Sequence, residues 1–197
     1  MKNQLFLIIG AMSVLFFACE QPTPAPEPKI NDEWVYHMKQ YDFNGNFLTE
    51  FDRVYQAQES IQDNNVAWAF LNDTNHLNEG WPGGIYRMNE DGLWYTSNAT
   101  ESYSALFLKY PGNVGEEYYY DIPGVYNYQV SIVSVNATLL VPYGNFTDLY
   151  QYTISSAGNP MYRVWFDENL WIVKFDFLGQ GGTVITASYE LASYTSH

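Results

Sequence analysis

The 197-residue chain has one cysteine, Cys19. No disulfide can form within it, so burial and hydrogen bonding must hold any fold it adopts. Basic residues are scarce: 8 Lys and Arg stand against 22 Asp and Glu, a formal net charge of −14. Nucleic-acid binding rests on Lys and Arg neutralising phosphates, so nucleic acid is excluded as a partner. The same charge argues against a domain lying on anionic lipid. It is compatible with a cationic partner or a divalent ion, and equally with solubility alone. No long segment carries the 3.6-residue apolar period of a helix. Catalytic signatures are missing too. There is no Gly-x-Ser-x-Gly elbow. None of the three histidines, His37, His76 and His197, has a second His or Cys at ligand spacing, so neither a metal site nor a cofactor is expected.

What is present is apolar and aromatic. Hydrophobic residues make up 47 % of the chain and aromatics 18 %, with 18 Tyr. Such a composition buries enough surface to fold. Tyr suits half-buried pleated surfaces and is also a common binding residue.

The first thirty residues read as an export and anchoring module. Met1-Lys2-Asn3-Gln4 is a short positive start, and Leu5–Phe17 is an uncharged run of 13 residues. That length fits the core of a signal peptide and falls short of a membrane span. Leu15-Phe16-Phe17-Ala18-Cys19 follows. It resembles the lipobox of bacterial lipoproteins, in the loose form found among the Bacteroidota. The resemblance implies cleavage after Ala18 and a diacylglycerol on the Cys19 thiol, hence a membrane partner and an outer-membrane anchorage whose face stays open. Two or three acyl chains hold firmly, because each buried CH₂ contributes about 0.8 kcal/mol. Glu20–Pro28 has four prolines in nine residues. Proline forbids helix and ladder pairing there, and such a run is a semi-rigid spacer of about 3.1 Å per residue. The organisation expected is a signal peptide over 1–18, a lipidated Cys and tether over 19–29, and one domain over 30–197.

In that domain, period-2 patterns alternate with turn signals. Trp34, Tyr36 and Met38 share one face of Glu33–Tyr41. Asn44-Gly45 is a hairpin turn, and Phe47–Gln58 returns with Phe51, Arg53, Tyr55 and Ala57 on one face. Strands are also expected over Val66–Leu71, Ile85–Asn89, Leu93–Ser97, Ser104–Lys109, Tyr126–Ser134, Ala137–Val141, Phe146–Ile154, Met161–Phe166, Leu170–Leu178 and Thr183–Ser193, the last alternating Ile185, Ala187, Tyr189 and Leu191. Turns fall at Asn64-Asn65, Glu90–Gly92, Asp167–Asn169 and Gly179–Gly182, and a polar loop at Asn72–Gly84. The fold class expected is all-β: a curved antiparallel meander forming an incomplete barrel, or alternatively a β-sandwich.

An ordered set of motifs runs through the second half: Pro111-Gly112-Asn113-Val114-Gly115, Tyr118-Tyr119-Tyr120, Val141-Pro142-Tyr143-Gly144-Asn145-Phe146, and Asp167-Glu168-Asn169-Leu170-Trp171-Ile172-Val173-Lys174. It resembles a group of uncharacterised Bacteroidota lipoproteins. Their domains are similar to the half-open β-barrels of periplasmic lipoprotein carriers, in which a curved sheet forms an apolar trough. The closing hairpin departs from the pattern, with Glu-Asn-Leu where a Gly-rich turn is usual. The resemblance implies a fold, and fold alone does not fix function.

Several groups invite chemistry and have plainer explanations. Asp42-x-Asn44-Gly45-Asn46 with Glu50 has the wrong spacing for a calcium loop, and a hairpin turn accounts for it. Glu116, Glu117 and Asp121 are the nearest carboxylate cluster, but adjacent strand residues point to opposite faces. Gly179–Gly182 lacks the Lys and following helix of a phosphate cradle. The aromatic residues Trp81, Tyr86, Trp94, Tyr95 and Tyr119 are the candidate ligand-binding set, since exposed Trp and Tyr stack on sugars or take apolar ligands. If Tyr118–Tyr120 form a strand, at least one must face outward. No catalytic residue is assigned. The leading expectation is a non-enzymatic lipid-anchored envelope protein that binds an apolar ligand or a partner protein. The alternatives are a surface glycan-binding module and a glycoside hydrolase, which needs two carboxylates about 5–9.5 Å apart in a cleft.

Overall fold

The computed structural model describes residues 29–63, 66–74, 84–96, 104–122 and 126–197. The expected signal peptide, Ala18, Cys19, the Asn64-Asn65 turn, His76 and Trp81 lie outside the described residues.

The described residues form twelve strands: β1 Glu33–Tyr41, β2 Phe47–Asp63, β3 Val66–Asp73, β4 Gly84–Asn89, β5 Gly92–Thr96, β6 Ser104–Lys109, β7 Glu117–Ile122, β8 Tyr126–Val141, β9 Gly144–Ser156, β10 Asn159–Asp167, β11 Trp171–Gly179 and β12 Val184–Thr195. They make one antiparallel sheet in the order β6-β5-β4-β3-β2-β1-β12-β11-β10-β9-β8-β7. Apart from the β1–β12 pairing, every ladder joins sequence neighbours. The first and last strands meet in the middle of the sheet, with Glu33 opposite Thr195. The edges are β6 and β7, which are consecutive in the chain and do not pair. The sheet is therefore an incomplete barrel, open along one seam.

Curling sets one face of each strand against a common interior. Trp34, Tyr36, Met38, Tyr55, Ala57, Tyr189 and Leu191 are all buried there, as the alternation in β1, β2 and β12 predicts. They join Tyr86, Phe107, Tyr120, Val130, Tyr152, Val164 and Phe175 in a single core cluster. Each fully buried large apolar side chain contributes about 1.5–3 kcal/mol. The start of β11 turns inward across the end of this core. Trp171 adopts φ 66°, the Trp34 indole donates to the Leu170 carbonyl at 3.0 Å, and the Tyr36 hydroxyl donates to that of Ile172 at 2.7 Å.

The segments expected as two strands, Tyr126–Ser134 and Ala137–Val141, are one 16-residue strand, β8. Its pairing with β9 slips between Ile132 and Ser134, Ser134 and Ala137, and Ala137 and Leu139. Such irregularities bend a strand without ending it, so a broken alternation in sequence looks like two elements. The bent hairpin brings Val141 and Leu149 into the core, and the Tyr143 amide reaches the Leu191 carbonyl on β12 at 2.9 Å.

One carboxylate ties the two ends of the domain together. Asp32 is buried and accepts from the amides of Lys29 and His197, both at 2.9 Å, and from the Tyr194 hydroxyl at 3.2 Å.

Candidate functional site

The seam is where the sheet departs from its own pattern. Edge strands leave a row of unpaired amides and carbonyls. Along β6, residues 107 and 109 share a parity, and their backbone groups face the seam while Tyr110 turns its amide to Asp91. Tyrosine hydroxyls take the place of a neighbouring strand. Tyr118, on β7, accepts from the Lys109 amide at 2.9 Å and donates to the Phe107 carbonyl at 2.9 Å. Tyr152, on β9, donates to the Lys109 carbonyl at 2.6 Å. Burial holds both hydroxyls well above the ordinary phenol range, so they remain neutral donors.

Local sequence builds this arrangement. A register shift opposite Leu93 and Trp94 lets Phe107 and Leu108 both bury, which displaces the β6 edge. The connecting loop, Tyr110–Glu116, starts with a cis Tyr110–Pro111 bond and ends with Gly115 at φ 84°, a conformation that suits glycine. The Gly115 amide donates to the Ile132 carbonyl at 2.8 Å, and the Ile132 amide donates to the Glu116 carbonyl at 2.9 Å. The Glu116 carboxylate pairs with the Lys109 ammonium at 2.5 Å and accepts from the Asn113 amide at 2.8 Å. These contacts, led by Lys109, hold its carboxyl below the ordinary range. Inside the seam, Tyr120 packs against Phe107 with centroids 5.3 Å apart and against Tyr95 at 6.2 Å.

The candidate aromatic set divides between the two faces. Tyr86 is buried and packs edge-on to Tyr95 at 5.3 Å and to Trp171 at 6.1 Å. Tyr86 belongs to the interior, and Tyr95, half-buried, packs against the same core. Trp94 pairs in register with Arg87, whose guanidinium lies 5.3 Å from its ring, and donates to Asn89 Oδ1 at 3.0 Å. Tyr119 is 68 % exposed on β7, flanked by the inward-packed Tyr118 and Tyr120. The outward member of that triplet is therefore the middle one. The sequence reading missed Tyr118 and Tyr152, whose hydroxyls act only through a partner strand's backbone.

One cavity is enclosed wholly by described residues. Trp34, Tyr36, Tyr55, Leu71, Tyr86, Leu93, Trp171 and Ile172 line a cavity of about 10 Å³. That holds about one water-sized sphere. This cavity is too small for an acyl chain.

On the outer face a chain of charged side chains crosses four strands. His37 Nδ1 lies 2.8 Å from Asp52 and Nε2 lies 3.3 Å from Glu50. Lys39 and Lys174 each donate to Glu190 at 2.9 Å. Lys174 also lies 3.7 Å from Asp176, which accepts from Ser188 at 2.7 Å. Hydrogen bonding to Asp52 raises the His37 pKa. Burial pushes Glu190 up, but its two ammonium partners outweigh this and hold it below its usual value. Burial wins at Asp176, and its pKa is raised. Among the described residues no group of three or more His, Cys, Asp or Glu is arranged to hold a metal ion. The Asp42 carboxylate is engaged by the amides of Asn44 and Asn46, both at 2.8 Å, and by Asn46 Nδ2 at 2.9 Å, as a hairpin turn requires.

No protein-family model matches the chain, and no curated protein matches it in sequence.

Proposed function

We propose that this is a lipid-anchored cell-envelope protein with a non-enzymatic binding or assembly role, and that its binding element is the β6–β7 seam. The occupant is an extended segment of a partner protein. One observation carries this reading: three backbone groups on the β6 edge are satisfied by the hydroxyls of Tyr118 and Tyr152. An incoming strand offers the same donors and acceptors in the same places, so it can displace the hydroxyls and leave the β6 backbone groups satisfied.

The test is a photoreactive residue at Tyr119, beside the seam, with a control at the exposed Leu140. Irradiation of cells should give a discrete protein adduct from position 119 alone. Tyr118→Phe should change its yield, because the competing hydroxyl is gone. Equal labelling from both positions, or a yield indifferent to Tyr118→Phe, would count against the seam. Incorporation of a labelled fatty acid into the parent chain, lost in Cys19→Ser, checks the anchor separately. The outward Tyr119 favours glycan binding as the second reading, tested by the loss of polysaccharide affinity in Tyr119→Ala.

A further inference from the structure

The β1–β2 turn presents an apolar surface that the seam does not explain. Phe43 is 77 % exposed, Phe47 57 % and Leu48 61 %, three of the nine large exposed apolar side chains among the described residues. Their exposure is built in. Gln40 pairs with Thr49 while Tyr41 pairs with Phe47, so Leu48 is an extra, bulged residue. The bulge breaks the alternation that would have turned Phe47 or Leu48 inward. The turn itself is fastened. The Asp42 amide donates to the Asn46 carbonyl at 2.9 Å, Gly45 takes φ 84°, and Gln180 Nε2 donates to the Phe43 carbonyl. Exposed apolar groups on a pre-ordered turn lose little conformational freedom when they are covered.

We propose that this turn dips into the surface of a zwitterionic lipid bilayer, the one that carries the Cys19 anchor. The length of chain before the domain supports that occupant, and this part rests on the lipid-anchor reading. The ten residues from Glu20 to Lys29, at about 3.1 Å each, span roughly 30 Å. β1 has nine residues, and at about 3.3 Å per residue it also spans roughly 30 Å between the tether and the turn. The spacer therefore just reaches back along β1 to a membrane touched by the turn at its far end. Effective concentration is greatest when a linker matches the span it must cover. Charge selects the lipid: Asp42 lies in the turn itself and the chain carries a formal net charge of −14, so an anionic surface would repel it.

The experiment uses residues 19–197 carrying Cys19→Ser, so that partitioning does not depend on lipidation. Sedimentation with phosphatidylcholine vesicles should show binding at millimolar lipid. The Phe43→Ser, Leu48→Ser double variant should bind at least tenfold more weakly with an unchanged circular dichroism spectrum. Phe43→Trp should bind at least as well as the parent, since Trp favours the interface. The proposal fails if the parent chain does not bind, if the double variant binds equally, or if Phe43→Trp binds more weakly. It also fails if the patch instead drives concentration-dependent dimerisation that the double variant abolishes. Failure with Cys19 still lipidated in cells would leave the anchor standing and remove only the docking.

Discussion

Asp176 and Glu190 are neighbours on one face, share Lys174, and have opposite pKa shifts. Asp176 has a folded-state pKa above its unfolded value, so its favourable contribution is complete below the unfolded pKa and is lost as pH rises through the folded one. Asn mimics the protonated form at every pH. Asp176→Asn should therefore leave the melting temperature nearly unchanged near pH 3 and raise it at pH 7. Glu190 has a depressed folded pKa, and its contribution is present above the unfolded value and lost as pH falls through the folded one. Glu190→Gln should lower the melting temperature at pH 7 and converge with the parent in acid. Two melting series against pH decide both, and a loss in Asp176→Asn that grows with pH would refute the first.

At the scale of elements, hairpins with built-in slips set the curvature. The β4–β5 turn is a place where one residue type fits. Gly92 has φ 130°, and an added Cβ would lie 2.1 Å from the Leu108 carbonyl oxygen and 2.5 Å from the Tyr110 amide nitrogen. Backbone cannot yield as a flexible side chain can, and the conformation itself costs a non-glycine residue about 1–3 kcal/mol. Gly92→Ala should cost at least that in urea denaturation and should loosen the adjoining seam, read as faster amide exchange at Lys109. Unchanged exchange there would mean that β6 holds its edge independently of this turn. The element most poorly legible in sequence is β8. Its alternation fails at Ser134–Val135–Asn136, and only pairing with β9 reveals a bend where the sequence suggests a break.

For the whole molecule, the sheet has its break at the seam and its continuity where the first and last strands pair. Lys29 and His197 bond to the same carboxylate. A circular permutant that joins His197 to Lys29 by a short linker and opens the chain between Asn113 and Val114 cuts a connection between strands that do not pair. It should fold to the same all-β spectrum and melt cooperatively. Opening within the β1–β2 turn severs a connection between strands paired over their length and should cost far more stability. Equal stability of the two permutants would show that the seam is not the natural break.

Local sequence encodes the all-β class, the turns at Asn44-Gly45, Glu90–Gly92 and Asp167–Asn169, and the inward faces of β1, β2 and β12. Those follow from period-2 burial and turn chemistry, which act over a few neighbouring residues. It also displayed the aromatic wealth without saying how it is used. Tyr86 went inside with Tyr95 packed against it, Trp94 went to a cation on the outer face, and Tyr119 went to solvent. Tertiary structure alone decided that the first and last strands pair at the centre and that β6 and β7 stay apart. It also decided that Tyr118 and Tyr152 bond to the open edge. Those facts depend on how curvature accumulates around twelve strands, and no local pattern of residues encodes that sum.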